Sequence, residues 1–104
     1  MATISGADVK HIVVACEAGM GSSVMVARML AKQLKHTGIT VSHTPVNQLA
    51  DEPHDLVLCH RGLGSRAMQA VPGSVVIVFD MFLGDFKIAQ LVSDLSEGAE
   101  IVGD

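Results

Sequence analysis

Apolar residues along this chain fall either in short unbroken runs or in stretches where they recur every three or four positions. His11–Ala15 ("HIVVA"), Asp55–Cys59 ("DLVLC") and Ser74–Phe79 ("SVVIVF") are of the first kind. Such short apolar runs suit strands covered on both faces, as in a parallel sheet. Ile39–Val46 ("ITVSHTPV") is mixed and carries Pro45 near its end, which fits an edge strand because proline donates no ladder hydrogen bond. The second kind predicts helices. From Ser22 to His36, Ala27, Leu30, Ala31 and Leu34 share one face and Arg28, Lys32 and Lys35 the other, with Gly38 as a stop. Ser65–Val71 is a shorter helix closed by Pro72 and Gly73, and Phe82–Leu95 a third, with Phe86, Ala89, Val92 and Leu95 as its buried stripe.

This alternation predicts an α/β fold, a small doubly wound four-stranded parallel sheet flanked by helices with right-handed crossovers. Ligands of such sheets sit beyond the carboxyl ends of the strands, where the strand order reverses. Cys16 stands at the carboxyl end of the first run. With 104 residues the chain is expected to be a single domain over 1–104, its core spanning about 9–96. The first eight residues and the tail "EGAEIVGD" look loosely tied.

Composition narrows the function. Although 49% of residues are hydrophobic, no apolar stretch approaches the ~18 residues of a membrane span, so direct membrane insertion is not expected. No signal-peptide pattern opens the chain, which points to the cytoplasm and to cysteines kept as thiols. A net charge of −4, no basic tract and no Trp or Tyr argue against nucleic acid as a partner.

The stretch "ACEAGMGSS", Ala15–Ser23, sets a cysteine before a glycine-rich turn that enters a helix. Unpaired N–H groups converge at such a junction and the helix dipole adds about half a positive charge, which makes an anion cradle. Gly19 and Gly21 let the backbone curl close to a ligand, and Ser22 and Ser23 add hydroxyl donors. The same donors are expected to acidify the thiol, so the loop can both make a nucleophile and hold a phosphoryl group. The plain alternative is a small buried cysteine beside an ordinary turn.

"VVACEAGMGSS" closely resembles the active-site segment of the mannitol-type enzyme IIB subunits of the bacterial phosphoenolpyruvate-dependent sugar phosphotransferase system. "HDLVLCHRGLGSRAMQAVPG" is similar to the third strand and following loop of the same proteins, and the resemblance runs from about His11 to Leu95. It implies a fold close to that of low-molecular-weight tyrosine phosphatases and a phosphocysteine relay. Cys16 would take phosphate from a phosphohistidine on a IIA subunit and pass it to a mannitol-like sugar or sugar alcohol in a membrane IIC transporter. The loop Glu17, Ala18, Gly19, Met20, Gly21, Ser22 and Ser23 would hold the phosphoryl group through backbone amides, assisted by the Ser23 hydroxyl. No cofactor or metal is implied, and the domain would sit at the inner face of the membrane through IIC. Two positions depart from familiar members: Glu17 stands where Asp is usual, and Cys59 where a small polar residue often precedes the His-Arg pair.

A phosphatase or arsenate reductase on this fold would need an arginine clamp six positions after the cysteine, where Ser22 stands. It would also need an acid, for which Asp80 and Asp85 are candidates, though either also suits a helix cap. A non-catalytic anion-binding module is a further alternative. His60 and Arg61 are candidates for the surroundings of the phosphoryl group, and Arg61 equally for a solvated surface. Cys59 reads as core filler ahead of a redox partner for Cys16, and a Cys16–Cys59–His60 zinc site lacks paired-ligand spacing. His11, His36, His43 and His54 read as surface or strand-end residues. Met20, Met25 and Met29 read as core, with a docking surface as the second use.

Overall fold

Each apolar run becomes a strand buried along its length, since Ile12–Cys16, Leu56–Cys59 and Val75–Phe79 all lie inside. The computed structural model describes residues 2–17, 22–81 and 84–104, leaving aside the side chains of Ser22 and Ser23. The elements are β1 (Thr3–Ser5), β2 (His11–Cys16), α1 (Ser22–Gln33), β3 (Thr40–Pro45), β4 (Leu56–His60), α2 (Gly64–Ala70), β5 (Val75–Phe79), α3 (Phe86–Glu97) and β6 (Glu100–Val102). The main sheet has the order β3-β2-β4-β5, with every pair parallel. From β2 the chain steps out to β3 and then returns to the other side for β4 and β5. The order therefore reverses at β2, and β3 with Pro45 is an edge strand as its composition predicts.

Alternation along the strands divides the core into two layers. Ile12, Val14, Leu56, Leu58, Val75, Ile77 and Phe79 face α1 and α3, meeting Val26, Leu30, Leu34, Ile88, Leu91 and Leu95. Val13, Ala15, Val57, Cys59, Val76 and Val78 face the other way, meeting Ala67 of α2 and Val46 and Leu49 of a short 3-10 turn. Each such fully buried aliphatic side chain contributes about 1.5–3 kcal/mol relative to exposure. Helices on both faces of a parallel sheet are the doubly wound arrangement expected from the alternation.

Two details differ from the expectation. The stripe of α3 is Ile88, Leu91 and Leu95, and Phe86 is 78% exposed. Asp85 caps the helix, so Phe86 becomes its first residue and the inward face is set from Ile88 onward. Phe82, the predicted start, lies outside the described residues. The chain ends are also tied down, because β1 pairs antiparallel with β6 and Ile101 is buried against α3 and the sheet. Gly6 donates to the Ala99 carbonyl at 2.7 Å, and a Cβ there would lie 2.8 Å from the Asp94 carbonyl, so no larger residue fits this crossing. Gly103 donates to Ala2 and Asp104 to Val76, while the Asp104 carboxylate accepts from Val78 N–H at 2.7 Å and pairs with Lys87. The outer edge of β5 is thereby partly covered. Gly38, at φ 77°, closes the 3-10 turn that follows α1, as its predicted stop role requires.

Candidate functional site

The last residue of β2 lies at the reversal of strand order, and that residue is Cys16, 6% exposed. Ala15 is paired in register with Cys59 on β4, so one step further along the two strands come Cys16 and His60. Neighbouring parallel strands run about 4.8 Å apart. Side-chain parity puts Cys16 with Ile12 and Val14, and His60 with Leu56 and Leu58, on the same face of the sheet. Cys59 points to the opposite face among Val57, Val76 and Ala67. It is fully buried core filler, and the pleat separates it from Cys16; both thiols are free.

His60 is fixed by bonds to both ring nitrogens. Nε2 lies 3.1 Å from the Asp80 carbonyl and Nδ1 accepts from Gly62 N–H at 3.3 Å. Its ring meets Phe79 edge to face at 5.7 Å. Arg61 is paired with the Asp80 carboxylate through two nitrogens, the Nη2–Oδ2 contact being 3.3 Å, and both side chains are more than half exposed. The Arg61 hydrogen bond holds the Asp80 carboxyl below the ordinary carboxylate range. Asp85, by contrast, is buried and accepts from four backbone amides, those of Asp80, Met81, Lys87 and Ile88. Burial works to raise its carboxyl, but the four donors outweigh it and hold Asp85 below the usual value.

Glu17 accepts from Arg66 Nη1 at 2.6 Å, which ties the residue after the cysteine to α2. Arg66 is a site neighbour that sequence reasoning did not find, because an ion pair across 49 positions leaves no local pattern. Ala18, Gly19, Met20 and Gly21 of the expected cradle lie outside the described residues, as do the side chains of Ser22 and Ser23. Among the described residues no three His, Cys, Asp or Glu side chains converge as for a metal ion. Met25 is 45% exposed, while Met29 packs partly against the core. No helix among the described residues is long and apolar enough to cross a membrane.

Burial pushes the Cys16 thiol up from its ordinary value, while the acidification expected from the loop falls on residues outside those described. Cys59, buried and near the Asp104 carboxylate, is pushed from 9.0 to about 11. Iodoacetamide should therefore alkylate Cys16 more slowly than a free thiol at neutral pH, and Cys59 more slowly still in the folded state. Because the unfolded chain ionises Cys59 first, its contribution is fully present below pH ~9 and is lost as pH rises toward about 11. Urea titrations should show a loss of roughly 2–3 kcal/mol from this source, at about 1.4 kcal/mol per pH unit, and Cys59→Ala should remove it.

A four-stranded parallel sheet flanked by helices, with a cysteine at the switch point, defines an α/β domain of the low-molecular-weight tyrosine phosphatase type. The family model "PTS system, Lactose/Cellobiose specific IIB subunit" matches residues 11–94. The chain belongs to this family of IIB domains. It is similar to the PTS system mannitol-specific EIICB component of Staphylococcus aureus strain COL, with 37% identity over 93 residues. The corresponding components of Staphylococcus haemolyticus and Staphylococcus saprophyticus are 38% identical over 93 residues and 39% over 90. These matches cover 84–86% of this chain and 18% of each relative, so the chain spans less than a fifth of the relatives' length.

Proposed function

We propose that this domain is a phosphocarrier in which Cys16 accepts a phosphoryl group from a IIA phosphohistidine and passes it to a sugar or sugar alcohol held by a membrane IIC transporter. The observation that carries the reading is the placement of Cys16 at the switch point of a sheet belonging to the IIB family. In the first step the N–P bond of the donor breaks and the S–P bond forms. The sulfur attacks as the thiolate, and the proton lost by the thiol ends on the departing imidazole nitrogen, so the step balances. In the second step the S–P bond breaks as a sugar hydroxyl forms the O–P bond, and the hydroxyl proton returns to sulfur.

Glu17, Ala18, Gly19, Met20, Gly21, Ser22 and Ser23 are assigned to the phosphoryl cradle, and His60 and Arg61 to its surroundings. Mannitol is the favoured substrate because the relatives named above are mannitol-specific. Their EIICB designation supports a IIC partner, and the domain is assigned to the cytoplasm at the inner face of the membrane. Slow hydrolysis fits the same reading. Ser22 replaces the phosphatase arginine, and Asp80 and Asp85 are held ionised by their partners and so lack a proton for a leaving group. The test is incubation with labelled phosphoenolpyruvate, the general phosphotransferase proteins and a mannitol IIA, followed by mass analysis. A phosphoryl mass shift on the peptide holding Cys16 is expected, and no incorporation would reject the assignment.

A further inference from the structure

The two oxygens of Asp85 have different partners. Oδ1 accepts from Lys87 N–H at 2.8 Å and Ile88 N–H at 3.2 Å, which caps α3. Oδ2 accepts from Asp80 N–H at 2.8 Å and Met81 N–H at 2.9 Å, and starting a helix does not require that second pair. What the second pair fixes is the Asp80 peptide, whose carbonyl meets His60 Nε2 and whose carboxylate holds Arg61. The direction of the His60 bonds follows from chemistry. Gly62 N–H can only donate, so Nδ1 accepts; the Asp80 carbonyl can only accept, so Nε2 carries the proton. His60 is thus set as the Nε2–H tautomer, on the strand and face next to Cys16.

We propose that Asp85 is a positioning residue for phosphoryl transfer at Cys16: by anchoring the Asp80 peptide it holds His60 in one tautomer with both nitrogens engaged. This inference rests on the relay reading above. So held, His60 offers no basic nitrogen to water beside the phosphocysteine. In hydrolysis, water would form an O–P bond as the S–P bond breaks, and a free imidazole would take the water proton. Keeping that imidazole engaged preserves the phosphoryl group for the sugar.

Asp85→Ser separates the two functions, because a serine oxygen still caps α3 but cannot also reach Asp80 and Met81. The expected results are a melting temperature close to wild type and nitrogen-15 shifts of His60 that change from a fixed Nε2–H form to an average of tautomers. Phosphocysteine, prepared as above, should hydrolyse roughly tenfold faster or more, and adding His60→Gln should restore its lifetime. Unchanged His60 shifts in folded Asp85→Ser, or an unchanged phosphocysteine lifetime, would overturn the proposal. If Asp85→Ser does not fold, wild type decides: a fixed Nε2–H tautomer above the imidazole titration range supports the lock, and mixed tautomers overturn it. The shifts are read without any phosphoryl donor, so a failed relay assignment, seen as no label on wild type, is distinguished from a failed lock.

Discussion

Cys16→Ser is expected to lower phosphoryl incorporation on the order of a thousandfold or more, to the background of the labelling assay, while the protein stays folded. Loss of a covalent nucleophile removes the acceptor atom itself, and losses of this size follow in enzymes that work through one. Serine is close to cysteine in shape, but a hydroxyl attacks phosphorus poorly unless a base removes its proton. The described neighbours supply no such base, because both nitrogens of His60 are engaged and Asp80 is paired with Arg61. The new hydroxyl would be nearly buried, with a stability cost of about 1–3 kcal/mol if it finds no partner. Thermal melts of the variant would register that cost separately from the loss of transfer. Cys59→Ser is the control. Its side chain lies on the other face of the sheet, so label should still arrive at Cys16. Label retained by Cys16→Ser would remove the nucleophile assignment.

Phe79→Ala should produce the largest loss of stability, about 3–5 kcal/mol, measured as a shift in urea midpoint without a large change in slope. Phe79 is fully buried and heads the largest inward-facing side chains. It ends β5 in register with His60 and meets that imidazole edge to face. Truncation leaves a cavity in the layer facing α1 and α3 and also removes a contact that orients His60. Domains of this size have only about 5–15 kcal/mol in total, so a substantial fraction of the variant should unfold at physiological temperature. Phe79→Leu, which fills most of the space, should retain most of the stability. A loss below about 1 kcal/mol in Phe79→Ala would show that the layer can collapse around the missing ring.

Strands β2, β4 and β5 were legible because burial on both faces demands runs of Val, Ile and Leu. Pro45 marked the edge strand for an equally local reason. The register of α3 was not legible from hydrophobicity, since Phe86 is the most apolar candidate at that end yet points outward. A carboxylate one position earlier decides where the helix begins. The three-residue strands β1 and β6 exist through pairing across nearly the whole chain, with Thr3 opposite Val102, and neither has a pattern of its own. At the site, the position of Cys16 followed from the end of an apolar run. The links from Asp80 to His60 and Arg61, and from Glu17 to Arg66, join segments 19 to 49 positions apart and appear only once β4, β5 and α2 are in place.

Cys16 and Cys59, on opposite sides of one pleated layer, have a consequence for oxidative damage. A sulfenic acid formed at Cys16 has no resolving thiol within the described chain to condense with, so its repair falls to an external thiol such as glutathione. Within this domain, redox recovery of Cys16 is therefore set by the surrounding reductant pool and not by its second cysteine.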